Sequence, residues 1–243
     1  MAFHDTHFHL DLFKNPEETV KKIESAGVYT IAVTNSPSVF FYTKKITEGC
    51  KYVKAAIGLH PELAYERKHE VDQLIELLGE TRYIGEVGLD NSNKLLVNYE
   101  TQKVIFKRIL QACSDEKNKI LTIHSRNAAK DVIDMIGSRF WGKIILHWYS
   151  GSIKELERAL DYGFYFSINY SMTKSSNGRK IIKALPLNRI LVETDGPFIE
   201  YKKAPATPLM SEIIANEICK IKLENNMIIT PEDIQTNFKE LLS

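Results

Sequence analysis

Cysteine is scarce in this chain, and its scarcity excludes several classes of protein. Only three of the 243 residues are cysteines, Cys50, Cys113 and Cys219, and no two of them are spaced as a CxxC pair. An odd count without paired spacing argues against a disulfide-stabilised secreted domain and against zinc held by thiolates. We therefore expect a reduced, cytoplasmic setting.

Long apolar runs and an excess of one charge are also missing. No stretch approaches the roughly 18 apolar residues that a membrane-spanning helix needs, and the start of the chain lacks the basic and apolar regions of a signal peptide. The 32 Lys and Arg residues nearly balance the 31 Asp and Glu residues, which gives a net charge of +1. This balance excludes a strongly basic nucleic-acid-binding surface, so any contact with nucleic acid must be local or made through metal ions.

No linker or low-complexity tract divides the sequence, so we predict a single domain over residues 1–243. Apolar residues make up 44% of the chain, which is enough for a sizeable core. Short runs rich in Val, Ile, Phe and Tyr recur at a fairly even spacing. They predict eight strands, at residues 2–6, 28–34, 52–57, 83–87, 119–124, 143–147, 164–168 and 189–194. Amphipathic stretches with helical spacing lie between them.

Eight strands that alternate with helices over about 240 residues favour an α/β fold of the (β/α)8 TIM-barrel type. Several of the strands are nearly continuous apolar runs, as expected where helices cover a parallel sheet. An open doubly wound sheet is the alternative. It fits less well, because polar residues follow many different strands here and only a barrel brings all the strand ends to one rim.

Five of the seven histidines, together with two acids, stand at the ends of these apolar runs. Imidazole and carboxylate groups suit divalent ions such as zinc and manganese. Because the carboxyl ends of barrel strands converge, these residues can meet although they lie far apart in sequence. The pattern predicts a hydrolytic centre with two divalent ions (Zn²⁺, Mg²⁺ or Mn²⁺), and the predicted ligands are His7, His9, Glu86, His124, His147 and Asp195.

The predicted ligands divide by chemistry. His7 and His9 form an HxH motif, and because side chains alternate along an extended segment, both imidazoles can bind one ion. Glu86 lies in an apolar strand, where an acid is costly to bury without a cation, and its two oxygens can bridge two ions. An ion pair inside the barrel is the alternative for Glu86. Asp195 can bind the first ion and accept a proton from the attacking water, so Glu86 and Asp195 are the predicted catalytic residues.

Two further residues are predicted to contact the substrate. His60 precedes a proline that stiffens its loop, and its alternative role is a local hydrogen bond. Arg126 lies two residues beyond His124 and can clamp a phosphate with its planar guanidinium. A surface salt bridge is the alternative for Arg126.

The motifs DTHFH, GLHP, GEVGLD, IHSR, HWYSG and ETDGP occur in the order and spacing of the TatD family of metal-dependent deoxyribonucleases, and the chain resembles that family from Asp5 to about Phe238. The resemblance implies a TIM barrel of the metallo-dependent hydrolase type that cleaves phosphodiester bonds with two or more divalent ions held by the ligands named above. The chain departs from the family at Trp148, where a small residue is usual, and at two segments, Asn91-Ser92-Asn93 and Ala204-Pro205-Ala206-Thr207-Pro208. These departures bear on the substrate more than on the metals.

The segments HLDL, GLHPELAYERK, HWYSGS and ETDGPF, with the Pro37-Ser38 pair, further resemble the TatD-like component of the four-gene Qat anti-phage defence system. This resemblance implies a role in bacterial antiviral defence. It also implies two partners, an ATPase and a QueC-like protein.

We expect a metal-dependent DNase that acts on DNA ends or single strands. An amidohydrolase or lactonase with the same centre is a rival interpretation, and it has no need of Arg126 or of nearby basic loop residues such as Lys174, Arg179, Lys202 and Lys203. A non-catalytic subunit of a defence complex is a third. The aromatic runs Phe40-Phe41-Tyr42 and Trp148-Tyr149 can stack bases, face a partner or pack in the core.

Overall fold

Eight parallel strands form the wall of a barrel in a computed structural model that describes residues 3–92 and 98–243. They are β1 (His4–Phe8), β2 (Tyr29–Ala32), β3 (Val53–Ala55), β4 (Tyr83–Gly88), β5 (Lys119–His124), β6 (Gly142–His147), β7 (Tyr165–Ile168) and β8 (Ile190–Val192). They pair in sequence order, in one run from β1 to β3 and another from β4 to β8. This order is that of a (β/α)8 barrel.

The two runs are joined at both of their edges. Beyond β3, Ile57 pairs in parallel with Ile84 of β4, and its carbonyl accepts the N–H of Gly85 at 2.8 Å. Between β8 and β1, the hydroxyl of Thr6 donates to the carbonyl of Val192 at 3.2 Å. These contacts close the sheet on itself, which confirms the predicted TIM barrel and excludes the open doubly wound sheet.

Ten α-helices are seen in the described ranges, and most of them surround the barrel. They are α1 (Pro16–Ala26), α2 (Pro37–Ile46), α3 (Val71–Glu76), α4 (Tyr99–Glu116), α5 (Ala129–Ile136), α6 (Ile153–Asp161), α7 (Tyr170–Lys174), α8 (Ser176–Ala184), α9 (Ser211–Leu223) and α10 (Pro231–Leu242). Capping boxes start α6, at Ser152, and α10, at Thr230, where the hydroxyl accepts an otherwise unpaired N–H. No helix in this part of the chain is long and apolar enough to cross a membrane.

The strand predictions agree with the structure except at the first strand and in the segment after the last one. The first strand was expected at residues 2–6, but β1 continues to Phe8, so His7 lies within the strand; Ala2 lies outside the described residues. After β8, two short strands that were not predicted, β9 (Glu200–Tyr201) and β10 (Ala204–Pro205), form an antiparallel hairpin. Extended pairing of two residues is too short to leave a periodic signal.

The last helix, α10, closes the amino-terminal end of the barrel. Phe238 and Leu241 form one apolar cluster there with residues from six strands: Ile31, Tyr83, Ile120, Ile145, Tyr165 and Leu191. The ring of His4, at the start of β1, stacks on Phe238 with 4.3 Å between centroids. Because this end is filled by apolar side chains, the open end of the barrel is the carboxyl end of the strands.

Candidate metal centre

A cleft of about 560 Å³ opens at the carboxyl end of the strands. Seven of the eight predicted site residues line it: His9, His60, Glu86, His124, Arg126, His147 and Asp195. The eighth, His7, is fully buried and lies against Glu86 and His9. The structure therefore brings all the predicted site residues to one place, as the barrel topology requires.

Glu86 occupies the centre of the site, and its two oxygens face different residues. Oε2 lies 3.3 Å from Nε2 of His7 and 3.4 Å from Nε2 of His9. Oε1 lies 2.7 Å from Nδ1 of His124, 2.8 Å from Nε2 of His147 and 3.3 Å from Nε2 of His60. Each oxygen of Glu86 thus faces its own set of imidazole nitrogens, so the carboxylate could bind a cation on either side.

The strand that carries Glu86 lies so close to β5 that Gly85 and Gly88 have no room for a side chain. The ladder between β4 and β5 is irregular between Ile84 and Val87, a feature that re-aims side chains near active sites. A Cβ on Gly85 would lie 2.1 Å from the Thr122 side chain. At Gly88, where φ is +142°, a Cβ would lie 2.1 Å from the carbonyl oxygen of His124. The glycines of the GEVG motif are thus required for close strand packing.

The first group of potential ligands consists of His7, His9 and Asp195. The Nε2 atoms of the two histidines are 3.2 Å apart, and Oδ1 of Asp195 lies 3.7 Å from His7 and 3.4 Å from His9. Asp195 follows β8 in the left-handed region, with φ of +50°, and its N–H donates to the His7 carbonyl at 2.9 Å. These three residues could hold one ion.

The second group surrounds the other oxygen of Glu86. Nε2 of His147 and Nδ1 of His124 are 3.5 Å apart. His60, Glu86 and His124 also form a set that could hold an ion. His60 is oriented by the N–H of Glu62, which donates to its Nδ1 at 3.1 Å. His60 therefore lies close enough to Glu86 to be a ligand, while its substrate-binding role stays a prediction.

Two buried acids that the sequence analysis missed support these histidines. Oδ2 of Asp90 lies 2.8 Å from Nε2 of His124, and Oε2 of Glu193 lies 3.7 Å from Nδ1 of His147. Carboxylates in this position fix the ring and tautomer of metal-binding histidines. Both acids follow apolar strands, in GLD and ETD, so the strand-end position that singled out Asp195 was present for them as well.

The electrostatics of the site favour a cation. Burial by itself would raise the pKa of Glu86, but the imidazoles of His60, His147 and His7 outweigh it and hold that pKa well below its usual value. Burial, followed by the charge of His147, lowers the pKa of His7. A neutral imidazole is the form that binds metals. At His9, His124 and His147 burial would lower the pKa, but the nearby carboxylates outweigh it and raise the pKa, so an ion that binds there has to displace protons. The carboxylates and imidazoles together are a donor set that fits divalent ions.

The basic residues near the site differ in whether they form an ion pair with an acid. The exposed guanidinium of Arg126 has no carboxylate within 4.0 Å in residues 3–92 and 98–243, so the salt bridge considered for it is not seen there. Lys174 ends α7 and pairs with Glu217, and Arg179 lies in α8, 2.6 Å from Glu224. The expectation that these two are basic loop residues available to a substrate was wrong, because both lie in helices and are paired with acids.

A family model described as TatD related DNase matches residues 4–243 of the chain. The chain belongs to this family. The TatD relatives include a metal-dependent hydrolase of Bacillus subtilis, YabD, which is 28% identical over 97% of this chain and 98% of that protein. Another is the human 3'-5' RNA nuclease TATDN2, 28% identical over all of this chain and 35% of that protein.

The fold of this TatD-family chain is also that of a solved relative. The crystal structure of the TatD homolog YjjV from Escherichia coli K12 superposes with a TM-score of 0.83 at 22% identity, over 98% of this chain and 97% of that one. Membership of the family, together with the clustered histidines and acids, confirms the prediction of a metal-dependent hydrolase.

One of the segments that depart from the family is Asn91-Ser92-Asn93, and its last residue, Asn93, lies outside the described residues.

Proposed function

We propose that this TatD-family hydrolase cleaves phosphodiester bonds of DNA, at ends or in single strands, in the bacterial cytoplasm. The observation that carries the proposal is the position of Glu86, whose two oxygens each face a separate group of nitrogen and oxygen donors. In the proposal, His7, His9 and Asp195 hold one ion, and His124 and His147 hold the other. Bound divalent ions polarise a phosphoryl oxygen and lower the pKa of water.

The side chains of the cleft supply the remaining chemistry. Asp195 faces the cleft and accepts the proton of the attacking water. Arg126, at the rim and without an acidic partner in the described residues, binds a phosphate through its planar donors. A carbonyl substrate would leave this guanidinium without a role, so Arg126 favours a phosphodiester over the amide or lactone of the rival interpretation.

The size of the cleft supports an end or a single strand as the substrate. A volume of about 560 Å³ is typical of a site for a small ligand. Such a cleft accepts one or two nucleotides, whereas a duplex would have to open before its backbone reached Glu86, which is only 2% exposed. The family description names DNA, and the human relative is named for RNA, so both polymers belong in the test.

The decisive experiment measures metal content and reaction products together. The purified protein is incubated with Mn²⁺ or Mg²⁺ and end-labelled single-stranded DNA, duplex DNA or RNA, in parallel with esters and lactones. We expect shortening of single-stranded DNA that stops when EDTA is added. Turnover of lactones or esters without cleavage of any nucleic acid would replace the proposal with the amidohydrolase interpretation.

We further propose that this nuclease acts in anti-phage defence with two proteins of the Qat system, the ATPase and the QueC-like protein. The sequence resemblance supports this assignment. Cells that carry the complete system, with Asp195→Ala as the only change, should lose protection against phage. Full protection in that strain would favour the third interpretation, a non-catalytic subunit of the complex.

A further inference from the structure

Trp148 combines three properties that stability of the fold does not explain. It directly follows β6, its φ is +38°, and it lines the cleft with 38% of its surface exposed. Bulky residues in this left-handed region are conformational outliers. Glycine or asparagine would adopt the same turn at less cost.

The neighbouring residue, Tyr149, accounts for the packing of this loop. Tyr149 is 1% exposed, its ring meets Phe166 edge-on at 5.3 Å, and its hydroxyl donates to the carbonyl of Ser152 at 2.7 Å. Of the aromatic pair for which base stacking, a partner and core packing were all considered, Tyr149 thus belongs to the core. Trp148 contributes its ring to the cleft instead.

The backbone of Trp148 is fixed relative to the metal centre by one acid. Its N–H donates to Oε1 of Glu193 at 3.0 Å, and Oε2 of the same carboxylate lies 3.7 Å from Nδ1 of His147. A backbone outlier that is held by a buried side chain indicates a functional position. The indole is therefore placed beside the predicted ligand His147, where the substrate chain has to pass.

A second aromatic residue borders the same cleft. Phe198, in the loop after β8, is 61% exposed, and its ring lies edge-on to His9 with 5.0 Å between centroids. The N–H of Phe198 donates to the carbonyl of Asp195 at 3.0 Å, which fixes it to the first ligand group. The cleft thus offers aromatic surface next to both groups of potential ligands, with Arg126 at its rim.

We propose that the indole of Trp148 stacks on a nucleobase of the bound strand, next to the phosphate that is cleaved, with Phe198 bordering the same base site. The proposal rests on the proposed phosphodiesterase function and names its substrate as a chain that carries bases. Stacking on an aromatic ring requires only the flat face that every base presents, so the site accepts all bases. An anionic sugar-phosphate without a base would bind weakly.

The chain contains only two tryptophans, which makes a direct test possible. Trp141 precedes the amino-terminal end of β6, at the end of the barrel away from the cleft, and is 70% exposed. The Trp141→Phe protein reports on Trp148 alone, and the Trp148→Phe protein reports on Trp141 alone. Each is titrated in Mg²⁺ with thymidine 5′-monophosphate and, separately, with 2-deoxyribose 5-phosphate, which has the same phosphate and sugar but no base.

We expect thymidine 5′-monophosphate to quench Trp148 saturably and to bind about 5- to 150-fold more tightly than the sugar phosphate. Trp148→Ala should remove most of that difference and raise KM for an oligothymidylate, while Trp141→Ala changes neither. Equal affinity for the two ligands, or no effect of Trp148→Ala, overturns the proposal. If oligothymidylate is still cleaved in that case, only the stacking proposal is refuted and the proposed phosphodiesterase function is retained. If neither ligand binds and no oligonucleotide is cleaved, the stacking proposal and the phosphodiesterase function are both refuted.

Discussion

Glu193 and His147 lie 3.7 Å apart, between Oε2 of the acid and Nδ1 of the imidazole. Glu193 is fully buried, and its carboxylate accepts hydrogen bonds from three other residues, the N–H of Trp148, the amide of Asn169 and the hydroxyl of Ser167, while His147 faces it at ion-pair distance. A carboxylate behind a metal-binding histidine fixes the ring and strengthens the ligand. We infer that Glu193 orients His147 towards Glu86.

Glu193→Gln should lower the affinity for divalent metal about 10- to 100-fold. The glutamine amide has one acceptor oxygen where the carboxylate has two, so at least one of the surrounding donors loses its partner. Competition against a coloured chelator measures the affinity. Glu157→Gln, an exposed position on α6, is the matched control. Equal metal affinity in the wild type and in Glu193→Gln would contradict the positioning role.

Glu86→Gln should abolish hydrolysis while the fold is retained. The substitution removes the negative charge between the two groups of histidines, and with it one oxygen able to bind an ion. Circular dichroism, metal content and turnover of a phosphodiester should be measured on the same sample. Glu62→Gln changes another acid that lines the cleft but belongs to neither group, so it should keep its metal. Full metal-dependent turnover of Glu86→Gln would refute the bridging assignment.

The positions of the strands and of the main candidate ligands could be predicted because they leave local signals. An acid inside an apolar strand revealed Glu86, and alternation revealed the pairing of His7 with His9. A position just after an apolar strand marked Asp90 and Glu193 as well. The sequence did not reveal that these two acids contact the rings of candidate metal-binding histidines. Those contacts are with His124 and His147, which lie on other strands.

Other features of the site depend on distant contacts and could not be predicted. Trp148 and Tyr149 are adjacent aromatic residues, yet one faces the cleft and the other the core. The turn that separates them is held by Glu193, 45 residues further along the chain. The close contact of His60 with Glu86 likewise requires the closed barrel, since the loop after β3 has no local pattern that sets its direction.

Arg126→Ala should raise KM for an oligonucleotide about 10- to 150-fold and leave kcat nearly unchanged. A hydrogen-bonded charge pair contributes about 1.5 to 3 kcal/mol, and this one would form equally in the bound substrate and in the transition state. Steady-state kinetics at constant salt measure the effect. Arg139→Ala removes another exposed arginine, which precedes β6 at the opposite end of the barrel, and should leave KM unchanged. A fall in kcat alone would assign Arg126 to the chemical step.

His4 should make the stability of the fold sensitive to mild acid. The ring is buried where β1 meets α10, its Nε2 accepts the N–H of Val192 at 3.0 Å, and its Nδ1 lies 2.8 Å from Oε1 of Gln235. Burial lowers the pKa of His4 from 6.5 to about 4, and the hydrogen bond to Gln235 only partly opposes this. Protonation of Nε2 would break the bond to Val192.

The pKa of His4 is lower in the folded protein than in the unfolded chain, so the unfolded chain takes up the proton first as the pH falls. The contribution of His4 to the free energy of unfolding, roughly 3 kcal/mol, is therefore complete above pH 6.5 and is lost between pH 6.5 and about 4. Urea unfolding in EDTA from pH 7.5 to pH 4 should show the stability difference between wild type and His4→Gln narrowing by about this amount. His69→Gln, at an exposed histidine, should follow the wild-type profile. A difference between wild type and His4→Gln that stays constant with pH would show that His4 titrates alike in the folded and unfolded chains.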